Sequence, residues 1–155
     1  MKIMTISLLL LFASQVNSES PKDDSKPVFN EALAQELGAD DYGMKMYVMA
    51  ILKAGPNQDH SPEEAAKLQK AHMDNIGRMA KSGDLVVAGP FAKNELGFRG
   101  IYVFNVKTIE EAKSLTESDP AIQAGRLAME LIPWYSSAAL MQVPEVATTL
   151  AKKDF

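Results

Sequence analysis

Two helix starts are spelled out by a cap and its partner, and four short apolar runs lie around them. This alternation leaves little choice of architecture. Ser61-Pro62-Glu63-Glu64 puts a hydroxyl at the N-cap, proline at the first helical position and a glutamate three residues past the cap. Thr108 and Glu111 repeat the cap and its partner. The first helix is expected to run to about Lys81 and stop at Ser82-Gly83. The second is expected from Thr108 to Glu117, where Ser118-Asp119-Pro120 interrupts it, and Pro120 opens one more turn toward Gly125.

The apolar runs read as strands. Lys45 to Lys53 is bounded by Gly43 and Gly55-Pro56, and its near-continuous apolar character predicts burial on both faces. Asp84 to Ala88 is closed by Gly89-Pro90. Phe98 to Val106 follows a hairpin-like connection over Phe91 to Gly97. Leu127 to Ile132 is the fourth, followed by Pro133-Trp134-Tyr135. The order is β-α-β-β-α-β. That order predicts an α+β, ferredoxin-like unit with a four-stranded antiparallel sheet and two helices on one face. The bare face needs a cover, and a second subunit is the usual one.

Residues outside this unit read differently. Met1 to Ser18 has Lys2, an apolar run from Ile6 to Phe12 and a polar end at Val16-Asn17-Ser18, which reads as a signal peptide cut after Ser18. That run is too short to span a bilayer, so no stable membrane insertion is expected after cleavage. The expected location is periplasmic or secreted. Residues 19–43 form an extension, polar at first, with a short helix over Phe29 to Leu37 ended by Gly38. Residues 44–141 form the domain and 142–155 a C-terminal tail. With no cysteine, the chain has no disulfide, no thiolate nucleophile and no Cys-based zinc site, and its core must hold it together. A formal net charge of −4 argues against a nucleic-acid partner.

Only two histidines are present. His60 lies in a polar loop and reads as solvated. His72 falls on the stripe Ala65, Leu68, His72, Ile76, Met79, the inward face of the first helix. An imidazole there is costly unless something hydrogen-bonds it. It is also the side chain whose charge changes most readily near neutral pH. Either the fold satisfies it with backbone, or it moves protons. Asp119 stands before proline, a common N-cap arrangement. Its two oxygens would let it cap the turn and meet another group at once. Arg78 and Arg99 are candidates for an anionic ligand, since guanidinium grips carboxylates; the alternative for each is a solvated surface group. Gly89 and Pro90 serve a turn and also suit a cleft border. Trp134 suits either a pocket for a flat molecule or a core or dimer contact. Two distant histidines without acidic ligand spacing predict no metal site.

In order and spacing, several pieces resemble the YCII-related family. They are His72 in AHMDNI, Gly89-Pro90 in VVAGP, Gly100 in the third strand and Glu110-Glu111-Ala112 in the second helix. Asp119-Pro120 with Gly125 in SDPAIQAGR and the closing strand with Pro133-Trp134 complete them. The resemblance covers Met44 to about Met141. It implies pairing into a dimeric α+β barrel and a histidine–aspartate pair in a cleft, which falls on His72 and Asp119. Members are regarded as enzymes on small molecules, one relative being associated with dechlorinating a hydroxylated ring. The signal peptide and the extension depart from the family pattern. Three readings follow: an acid/base catalyst needing no cofactor, a non-catalytic dimeric binding module, and a pure assembly domain.

Overall fold

The computed structural model describes residues 28–153, so the signal peptide reading and the first part of the extension lie outside the described residues. Helix α1 (Glu31–Leu37) precedes the unit, capped by Asn30 and closed by Gly38. Then come β1 (Met44–Ala54), α2 (Pro62–Ser82), β2 (Leu85–Pro90), β3 (Phe98–Phe104), α3 (Ile109–Glu117), the short α4 (Pro120–Gln123) and β4 (Leu127–Ser137). The strands form one antiparallel sheet in the order β2-β3-β1-β4. This is the β-α-β-β-α-β arrangement expected, and both capping boxes form.

Cross-strand partners project to the same side of a sheet, so register assigns the faces. Val48, Ala50 and Leu52 pair with Phe104, Tyr102 and Gly100. With Leu85, Met79 and Ala112 they build the core beneath the helices. The aromatic side chains of Tyr102 and Phe104 meet edge-on at 5.6 Å, and Phe104 is wholly buried.

The other face is covered in part by the chain itself. Tyr47, Val86 and Val103 are buried there, with Trp134, Leu140 and Met141 packed on them. The domain closes on a 3-10 turn (Ala138–Gln142), and the first part of the 142–155 segment continues it as α5 (Val143–Leu150). Among the described residues nothing covers the remainder of that face. Met49 and Ile51 are only half-buried, so the double burial expected of the first strand holds at Tyr47 and not beyond it.

Two strand ends differ from the sequence reading for one reason. β4 continues through Pro133, which stands opposite Val48, to Ser137. β2 includes Gly89 and Pro90, opposite Ile101 and Gly100, so these two do not form a turn outside the strand. Both strands are sheet edges. A residue without an N–H is tolerated there, because one side of an edge strand needs no donor.

Candidate functional site

α2 carries His72 on its inward stripe, and the stripe is the one the periodicity predicted: His72 and Met79 are buried and Ala65, Leu68 and Ile76 half-buried. The connection that brings Asp119 to it is clamped. Gly55 and Asn57 donate their backbone N–H groups to the carbonyls of Arg126 and Gly125, 2.9 Å each. The Gln58 amide bonds the carbonyls of Gly55 and Arg126. The loop entering α2 is thus tied to the segment leaving α4, and Gly125 turns there with φ +71°.

Asp119 sits at the head of α4, fully buried. Its Oδ1 accepts the Ala121 N–H at 2.9 Å. Its Oδ2 lies 2.6 Å from Nδ1 of His72. Capping and pairing are therefore both satisfied, one oxygen each. On the far side of the ring, Nε2 of His72 lies 3.1 Å from the hydroxyl of Tyr102 on β3, and the two rings lie nearly parallel, tilted by 21° with centroids 6.1 Å apart. Three elements remote in sequence thus deliver one line of groups, Asp119–His72–Tyr102.

The ends of the line fix the middle. Burial pushes the Asp119 carboxyl up, but the His72 hydrogen bond and charge, the Ala121 N–H and the Asn75 amide outweigh it and hold the group below the usual carboxylate range. The Asn75 amide is near enough to lower it without making a well-formed hydrogen bond, since its Nδ2 has no hydrogen-bond partner among the described residues. Burial, and then the Asp119 charge, push the Tyr102 phenol well above its usual range. Asp119 is then an acceptor only and Tyr102 a donor. The neutral imidazole must carry its proton on Nδ1 and offer Nε2 as acceptor.

The other candidate residues are distributed around this line. Arg78, one and a half turns beyond His72, bonds Asn75 Oδ1 at 2.7 Å and Ser118 Oγ at 2.9 Å. Its guanidinium braces α2 against the end of α3, with part of it exposed. Arg99 is exposed on β3 and has no ion-pair partner among the described residues. Pro90 shares the helix face with Gly100 and Tyr102. Gly89 pairs with Ile101, and Trp134 pairs with Tyr47, both on the opposite face. Trp134 stacks obliquely on Tyr47 at 6.3 Å, away from the line. His60 lies half-buried with Nε2 3.4 Å from the Asn57 amide. Among the described residues no cluster of three or more metal-ligating side chains forms.

The line itself is nearly closed, with Tyr102 2% and His72 7% exposed, but the strand beside it is not. Ala88 and Pro90 stand opposite Tyr102 and Gly100 on the helix face, yet both are exposed. The helix layer leaves this end of β2 uncovered, next to Tyr102 in the sheet.

With this geometry in place, the match to known proteins reads directly. The sequence matches the YCII-related domain over residues 46–135. The chain belongs to the YCII-related family. Both ends of its histidine–aspartate pair fall inside the matched span, as does Tyr102. Among solved structures, this YCII-related chain is similar to the 5-chloro-2-hydroxyhydroquinone dehydrochlorinase of Burkholderia phenoliruptrix, solved with 2,5-dihydroxybenzoquinone. Identity is 18%, over 56% of this chain and 92% of that chain, with a TM-score of 0.41. No curated protein matches the sequence.

Tyr102, Asn75 and Ser118 were not among the residues singled out from the sequence. A signal for the first existed. Alternation puts Tyr102 on the same side as Phe104, and a buried tyrosine hydroxyl ordinarily finds a partner. Asn75, three residues after His72, lies on the same stripe.

Proposed function

We propose that this YCII-related protein acts on a small organic molecule by proton transfer, with His72 as the acid/base group and Asp119 as the carboxylate that orients it. The observation that carries the reading is the 2.6 Å bond between His72 Nδ1 and Asp119 Oδ2, made between buried groups 47 residues apart. A carboxylate on one ring nitrogen fixes the tautomer and leaves the other to take or give a proton. Elimination, isomerisation and attack by an activated water all use such a group. None of these steps requires a cofactor. The working form is a homodimer, and the location is periplasmic or secreted, with Glu19 as the first residue after removal of the signal peptide.

The burial of His72, 7% exposed, favours one alternative: a binding module in which the same line of groups tunes affinity without turnover. Replacing His72 by Gln separates the two. A panel of small hydroxylated and carboxylated compounds is screened with the mature protein for both binding and turnover. The catalytic reading expects turnover to fall about 10²–10⁴-fold in the variant with binding retained. Ligands that bind, never turn over, and weaken in the variant would replace it with the binding module.

A further inference from the structure

Nε2 of His72, the nitrogen that the proposed acid/base role needs, is not free. It faces the hydroxyl of Tyr102 at 3.1 Å, and that tyrosine is 2% exposed. We infer that Tyr102 is a positioning residue, which donates its O–H to His72 Nε2 in the unliganded protein and cedes that place to a ligand's own donor. The inference rests on the His72–Asp119 reading and adds to it a third member on a different element.

The geometry leaves few alternatives for the phenol. Tyr102 is held on β3 between Ala50 on one side and Ala88 on the other, both small. Its aromatic side chain is fixed by the edge contact to Phe104 and the near-parallel contact to His72. Neither contact involves the hydroxyl, and its one hydrogen-bond partner among the described residues is Nε2. A buried hydroxyl with a single partner is expensive to strand, so the bond is kept in the resting state. Among the described residues, the ionisable groups hydrogen-bonded to the imidazole are Asp119, from the head of α4, and Tyr102 itself. Arg78 on α2 is joined to the neighbouring Asn75 and Ser118 by hydrogen bonds.

The position also explains how a ligand could compete. The exposed Ala88 and Pro90 flank Tyr102 and Gly100 on the helix face. A ligand that presents a hydroxyl can donate to Nε2 and accept the phenol O–H at the same time, leaving neither unsatisfied, whereas a purely apolar molecule can do neither.

The test uses the full mature protein labelled with ¹⁵N at its two histidines, wild type and Tyr102→Phe. Imidazole ¹⁵N shifts report separately on each nitrogen. The expected result is that the His72 Nε2 resonance moves toward that of an unbonded acceptor, while Nδ1 stays protonated and His60 does not change. As a chemical probe, diethyl pyrocarbonate should modify His72 several-fold faster in the variant and His60 at an unchanged rate. Should Tyr102→Phe fail to fold, 3-fluorotyrosine replaces all tyrosines in the wild-type chain. Its more acidic phenol should move the same Nε2 resonance the opposite way, toward a stronger bond. An Nε2 signal that ignores both changes overturns the role of Tyr102. A wild-type Nδ1 that lacks its proton at neutral pH overturns the His72–Asp119 reading instead, so the two failures are distinguishable.

Discussion

At the scale of single residues, the two ends of the line predict opposite limbs in the dependence of stability on pH. Asp119 is depressed in the folded state, so between its native value and the ordinary aspartate value of about 3.9 the unfolded chain binds more protons. Stability therefore rises with pH across that window. The Asp119 contribution is complete above it and lost as pH falls through the native value. Tyr102 is raised, so above the ordinary tyrosine value of about 10 the unfolded chain releases a proton that the folded chain keeps. Its contribution is complete below about pH 10 and lost as pH rises further. Urea unfolding of Asp119→Asn should show a flatter acid limb and a loss of about 1.5–3 kcal/mol at neutral pH, the usual worth of a hydrogen bond to a charged group. Tyr102→Phe should flatten the alkaline limb in part, since burial also raises Tyr47. Identical limbs in wild type and variants would mean that neither group is ionised or protonated as described.

At the scale of elements, the approach of β2 to β3 beside the site is set by the absence of a side chain. A Cβ on Gly100 would stand 2.8 Å from the Gly89 carbonyl oxygen and 3.4 Å from Pro90 Cα. Backbone on an edge strand must then shift, carrying Ala88 and Pro90 away from Tyr102. Gly100→Ala is expected to cost about 1–3 kcal/mol, as overpacking typically does. It should also disturb the His72 ring resonances although the two residues lie on different elements. A variant of wild-type stability with unchanged His72 signals would show that β2 does not shape this corner. Elements were also where the sequence was most legible. The caps at Ser61 and Thr108 and the stripe through His72 are local patterns, each confined to a few turns of chain. Pro90 and Pro133 misled for the converse reason: a proline reads as a strand end unless one knows that the strand lies at the edge.

At the scale of the whole molecule, the open part of the second sheet face belongs to the assembly question. Met49 and Ile51 are half-buried there, Ile132 is 43% exposed, and Lys53 pairs with Glu130 at its margin. A second copy laid on this face would bury apolar area worth roughly 25 cal/mol per Å². Sedimentation of the mature protein should give a dimer, and Ile132→Lys on this face should shift it toward monomer without unfolding. A wild-type monomer at high micromolar concentration would count against the homodimer. The turn and α5 that follow β4 narrow the available face from one end, because Leu140 and Met141 already occupy the surface over Tyr47 and Val103.

The sequence by itself determined the element order, the two helix starts, the inward place of His72 and the capping place of Asp119. All of these depend on neighbours within a few residues, where spacing and turn chemistry act directly. Only the tertiary structure decided that the second oxygen of Asp119 meets Nδ1, that Tyr102 meets Nε2, and that Trp134 lies on the opposite face from both. It also decided that the turn after β4 folds back over the sheet. Such outcomes depend on register and on which edges are left open. Register is set by the packing of all four strands together, and no single segment encodes it.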